Sequence, residues 1–212
     1  MMRRYSKILG FAALFGLPVF VWLMLGINDF LGVSLPVDGN VLVVESEFWK
    51  SSAMKEAAEE FKRGQYSRVV SLGTPISRNG GATDQKSSAE LAARRLRELG
   101  VDQNVIVVLP VPSVKLHQTY VSAVTLRNWL IRSKTETTGV NVFTLGTHAR
   151  KSLVLFKRAL GPGIKVGVIA GTEDTYDASR WWLSARGIHV ITRKTLGYLY
   201  AVFWPFPNAG ST

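Results

Sequence analysis

The 212 residues, 47% of them apolar, suffice for one well-formed core plus an accessory segment, and the absence of cysteine excludes disulfides and thiolate metal sites. A formal charge of +11, from 26 Lys and Arg against 15 Asp and Glu, suits anionic partners such as acidic headgroups, phosphorylated sugars, envelope polymers or nucleic acid, or else a solvated basic surface.

Residues 8–27 are twenty consecutive positions without a charge, about what a helix needs to cross the hydrocarbon core. Arg3, Arg4 and Lys7 precede the run, and no Lys or Arg follows until Lys50. The positive-inside rule therefore keeps the N-terminus cytoplasmic and exports everything after about residue 28. A cleaved signal peptide is the competing reading, but residues 23–27 offer no small-x-small site. Taking Arg3, Arg4 and Lys7 from the 26 basic residues leaves 23 against 15 acidic, so the exported part stays near +8. Export argues against nucleic acid as a partner; an anionic envelope ligand or lipid headgroup fits better.

Residues 28–40 read as a linker, broken by Gly32, Pro36 and Gly39. An alternation follows: a continuous apolar strand at 41–44, then a helix carrying Ala53, Ala57 and Phe61 with Ser51 or Ser52 as its cap. A second strand spans 69–72, and a Gly-, Ser- and Asn-rich loop runs to Asp84. Ala89, Ala92, Ala93, Leu96 and Leu99 then share one face of a helix closed by Gly100. Strands at 105–109, 140–145 and 164–169 alternate with helices at 118–132 and 147–160. The expected fold class is α/β: a five-stranded parallel sheet with helices on both faces, Rossmann-like, plus one N-terminal transmembrane helix. The domain would run from 41 to 204, after an anchor at 1–27 and before a tail at 205–212. Two closing helical stretches place Ala178, Trp181, Trp182 and Ala185, then Leu196, Leu199, Tyr200 and Phe203, on shared faces.

Ligands of such sheets bind outside the carboxyl ends of the strands, near the point where strand order reverses. That rule selects Glu45 after strand one, Gly73 and Thr74 after strand two, Ser113 after strand three, and Gly146, Thr147 and His148 after strand four. Thr147 as an N-cap would put His148 and Arg150 in a first helical turn that already favours an anion. Glu45 ends a buried strand and is either a structural ion pair, with Arg150 as one partner, or an acid/base group. Glu90 opens its helix, where the helix dipole explains it as well as catalysis does. Arg180 beside Trp181 and Trp182 would stack on a sugar or base, unless the tryptophans are core plus lid. His117 and His189 share no metal-ligand spacing with His148 and read as structural or surface residues. No metal site is expected, and no cofactor is specified. The Gly73 loop lacks a full G-x-G-x-x-G and the P-loop lysine, and export disfavours a nucleotide- or adenosylmethionine-binding protein.

Residues 141–161, with Gly146-Thr147-His148-Ala149-Arg150 at their centre, resemble the strand–His–x–Arg–helix segment of the YdcF/SanA/ElyC family of bacterial envelope domains. Ser88-Ala89-Glu90-Leu91-Ala92, Leu99-Gly100-Val101 and Thr119-Tyr120-Val121-Ser122-Ala123 resemble three further joints of that family, across most of residues 40–203. The chain departs from the pattern at Glu45-Ser46 and Gly73-Thr74, where the family carries Gly pairs, and at Leu109-Pro110 and Val121-Ser122, where it carries Glu and Glu-Asn. His148, Arg150, Glu90 and Thr119 are the positions that carry over. The resemblance implies a bacterial inner-membrane protein with its domain outside the cytoplasm, handling lipid-linked wall precursors or maintaining the barrier. It supplies no reaction. The expectation is an anionic, phosphorylated ligand at the carboxyl edge of the sheet, bound and either hydrolysed or transferred, with a non-catalytic envelope scaffold as the alternative.

Overall fold

The computed structural model describes residues 24–76 and 87–206. Five parallel strands, β1 (Val41–Glu45), β2 (Arg68–Gly73), β3 (Ile106–Pro110), β4 (Gly139–Leu145) and β5 (Lys165–Gly171), lie in the order β3-β2-β1-β4-β5. The first strand is therefore central, flanked by β2 with Val43 opposite Val70, and by β4 with Val43 opposite Val142. Covered on both faces, β1 has no polar side to present, and its sequence Val-Leu-Val-Val is apolar without alternation.

Successive side chains still divide between two cores. Leu42, Val44, Val69 and Phe143 face α1 (Ala53–Arg63) and α2 (Ser88–Glu98). Val41, Val43, Val70, Leu72, Val140 and Val142 face α3 (Gln118–Ser133) and α4 (Ala149–Leu160). The α/β class with helices on both faces thus holds, and the observed strands fall within two residues of the expected ones. A last helix, α5 (Ala185–Phe203), forms an outer layer on α4, where Ala201 and Phe206 cover Leu155.

The closing region differs from expectation. Residues 178–183 form a 3-10 segment, and Ser184 caps one long α5 by accepting from Gly187 N at 3.0 Å. Gly187, Val190, Ile191 and Ala201 are the buried residues of this helix, and Leu196, Leu199 and Phe203 point outward.

Residues 24–31 are helical, and residues 32–40 form a strap rather than a loose linker. Leu35 exchanges two backbone hydrogen bonds with Val168 on the free edge of β5, at 2.8 and 3.1 Å. Asn141, buried in β4, accepts from Val37 N and donates to Val37 O, both at 2.8 Å. Gly39 lies against Gly139 so closely that a Cβ would come within 2.5 Å of that backbone. The strap therefore runs from the carboxyl edge of the sheet, beside Gly146, to its amino edge. Among the described residues no helix is long and apolar enough to cross a membrane. Most of the expected membrane segment, residues 8–23, lies outside the described residues.

Candidate functional site

Strand order reverses between β1 and β4, so the crevice at their carboxyl ends is the topological switch point of the sheet. Glu45 ends β1 there, and a 3-10 turn over Gly146–His148 leads from β4 into α4. Gly146 makes the turn with φ +44°, a conformation that suits glycine. It delivers His148 to within 3.9 Å of Glu45, Nε2 to Oε2, with Thr119 Oγ1 of α3 at 3.4 Å from the same ring nitrogen. Ser152, one turn into α4, donates to Glu45 Oε2 at 2.6 Å.

A cavity of about 360 Å³ opens over this pair, lined by Glu45, Glu47, Lys50, His148, Asp174 and Lys194 among others. Burial pushes the Glu45 carboxyl up, against the lowering effect of the Ser152 and Thr144 hydroxyls. Burial also holds the His148 imidazole well below its usual range, assisted by Lys194, Lys151 and Arg193. Lys151 is lowered by burial while Glu45 and Glu47 pull it back up. Lys194 is brought down to about 8 by burial and by Arg193 and Lys151. The site thus joins a carboxyl whose proton affinity burial raises, an imidazole that burial keeps from protonating, and two desolvated amines. That pattern of opposed shifts is typical of acid/base and anion-binding sites. Asp174 is already engaged: its Oδ2 accepts from Ser51 Oγ, Ser52 N and Ser52 Oγ at 3.0–3.3 Å, capping α1 from the loop after β5. His148 Nδ1 is buried and has no hydrogen-bond partner.

Of the residues expected here, Glu45, His148 and Thr119 come together. Arg150 does not: its guanidinium lies 3.9 Å over the Phe30 ring and donates to the Phe30 carbonyl. Positions 148 and 150 project about 200° apart on a helix, so the two cannot share a face. Glu45 meets His148 and Ser152 in place of Arg150. Thr147 is buried and caps nothing; the Ala149 amide is taken by Gly146 O and no side chain caps α4.

Gly73 approaches its own helix instead of a ligand, since a Cβ there would sit 2.2 Å from Ser88 Oγ and 2.4 Å from Ala89 N. The Thr74 carbonyl accepts from Ser88 N at 2.8 Å. Glu90 forms a capping box with Ser87, accepting from Ser87 N at 3.0 Å while Ser87 Oγ accepts from Glu90 N at 3.2 Å. Ser113 is exposed beyond the edge strand β3. Arg180 is exposed outside the cavity lining, with Trp181 buried and Trp182 turned to the surface, so no paired stacking platform forms.

Sequence reasoning missed Lys194 and Ser152. Each carries a readable signal: a polar residue at an inward helical position, Lys194 between Val190, Ile191 and Ala201, and Ser152 between Ala149 and Phe156. A larger groove of about 660 Å³ lies at the opposite edge, beside Lys157, Arg158 and Lys165. It holds no acid/base pair and lies away from the switch point. Among the described residues no three His, Asp or Glu side chains are grouped to hold a metal ion.

Fold and site together define a doubly wound α/β domain with a polar crevice at its switch point. No family model matches the chain, and neither a curated protein nor a solved structure matches it.

Proposed function

We propose that this is a membrane-anchored envelope protein of the YdcF/SanA/ElyC type that binds an anionic, phosphorylated ligand of lipid-linked or cell-wall origin at the carboxyl edge of its sheet. The observation that carries the reading is the buried Glu45–His148 pair at the switch point, pressed on by Lys151 and Lys194. Lys50 and Lys194 line the cavity, Lys151 and Lys194 lie within the reach of Glu45 and Glu47, and a phosphate would add negative charge where burial disfavours that of Glu45.

The lipid-linked class is supported by the strap. Asn28 Oδ1 accepts from Tyr176 OH after β5, and Gly32 backs onto Gly146 after β4. The uncharged run 8–27 therefore ends at the same edge as the cavity.

The groups present suit hydrolysis at phosphorus. Neutral His148 takes a proton from water as the water oxygen bonds to phosphorus. The bond from phosphorus to the leaving oxygen breaks, and Glu45 supplies that oxygen with a proton. Thr119 would hold the imidazole in place.

The test is binding and phosphate release with farnesyl pyrophosphate, inorganic pyrophosphate and farnesol. Binding of both anions but not of farnesol is expected, weakened at least about tenfold in Lys194→Ala, with phosphate release abolished in His148→Ala. Wild-type protein that binds neither anion, or binding undiminished in Lys194→Ala, refutes the site. Binding without release from either anion favours the scaffold reading, in which the site docks an anionic partner without turnover.

A further inference from the structure

The outer face of α5 is more apolar than water contact calls for. Ile188, Leu196, Leu199 and Phe203 form one stripe along the helix, with Leu196 62% and Phe203 80% exposed. Leu183 and Trp182 extend it before the helix, at 72% and 39% exposure, and Tyr200 and Trp204 border its far end. Ile188, Leu196, Leu199 and Phe203 are exposed, and α5 turns Val190, Ile191 and Ala201 inward, while Tyr200 and Trp204 stack on His117. The helix carries Arg186 and Arg193 at its exposed flank and no acidic residue. An outward apolar stripe edged by arginine and by Trp and Tyr is the composition of a helix that lies in a membrane interface.

The occupant is indicated by where the uncharged run 8–27 meets the domain. Its last residues belong to the helix 24–31, in which Met24 and Leu25 are exposed. That helix is fixed to the domain through fully buried Leu31, through Arg150 on the Phe30 carbonyl, and through Phe30 set edge-on to Tyr198 of α5 at 5.4 Å. A chain anchored through 8–27 would thus hold α5 beside the bilayer with little freedom to turn away.

We propose that the outer face of α5 rests in the interface of a bilayer containing anionic lipid, with Leu196, Leu199 and Phe203 among the acyl chains and Arg186 and Arg193 at the headgroups. This rests on the anchor reading and extends it, because it fixes the orientation of the domain.

The full chain has no cysteine, so Phe203→Cys, Leu196→Cys and, on the opposite face of the sheet, Arg94→Cys each give a single attachment point for an environment-sensitive fluorophore. Each labelled protein is reconstituted into phosphatidylcholine–phosphatidylglycerol vesicles with and without lipids bearing a shallow quencher, and vesicle flotation is scored separately. The expected result is flotation of all three, with labels at 203 and 196 quenched about twofold and the label at 94 unaffected. Flotation with all three labels unquenched overturns the docking face and leaves the anchor standing. Self-quenching that depends on the labelled fraction would then identify a second copy as the cover, and its absence would indicate residues 1–23. Failure to float overturns both the anchor and the docking face.

Discussion

Ser152 Oγ donates to Glu45 Oε2 at 2.6 Å, tying the first turns of α4 to the end of the central strand. That bond lowers a carboxyl which burial raises, so it keeps Glu45 closer to the range in which it can exchange a proton. Ser152→Ala is expected to raise the Glu45 midpoint further and to cost about 1–3 kcal/mol of stability. A carbon-13 NMR titration of the Glu45 carboxyl checks the first and urea unfolding the second; a midpoint that stays put or falls refutes the assignment.

Lys194 gives up its proton at about 8 in the folded chain against an ordinary value of 10.5. Between those values the unfolded chain binds more protons, so stability rises with pH across that window, by at most about 3 kcal/mol. On the proposed reading, anion affinity is expected to run the other way and fall as pH climbs through about 8, since the ammonium of Lys194 would attract the anion. Lys194→Met should flatten both profiles.

His148 is held neutral when folded and takes up a proton near 6.5 once unfolded. Below 6.5 the unfolded chain gains protons that the native state refuses, and stability declines as the solution is acidified towards the depressed native value. His148→Gln removes that decline in thermal unfolding measured from pH 7 to pH 5.

Arg150 serves the entry segment, not the cavity. Arg150→Ala is expected to leave pyrophosphate affinity within about twofold, while amide exchange in residues 24–31 speeds up about tenfold. Loss of affinity without faster exchange would return Arg150 to the site.

Asn141→Ala strips the side chain that pairs with both backbone groups of Val37, and also a bond to Tyr66 OH at 3.0 Å. Two polar groups are left short of partners in a part-buried place, at a cost of about 2–4 kcal/mol in urea unfolding. A cost under about 0.5 kcal/mol would show that the strap holds without it.

The order of elements was legible because each strand is buried on both faces or bounded by turn residues, as in Val41-Leu42-Val43-Val44. Glu45 and His148 were legible for a positional reason: both end strands at the switch point. Arg150 misled because adjacency in sequence was taken for a shared face, whereas His148, Lys151 and Ser152 are the residues that helical spacing brings together. The stripe of Leu196, Leu199 and Phe203 was visible as a period, but a period says only that two faces differ, not which one meets the core. Residues 32–40 read as a linker because what holds them lies elsewhere in the chain, as with buried Asn141, the bridge to Val168 and the Ala170 amide on Ser34 Oγ, and none of these leaves a pattern within the segment itself.

Because the earliest of the five strands in the chain is the middle one in the sheet, β1 waits for β4, and Val41 finds Val140 only after about a hundred intervening residues have been made. Until then one side of β1 offers unsatisfied amides and carbonyls to any passing chain. Chains cut short after α3 should accordingly clump, while those extended through β5 should not, which makes the timing of synthesis a hazard this topology has to survive.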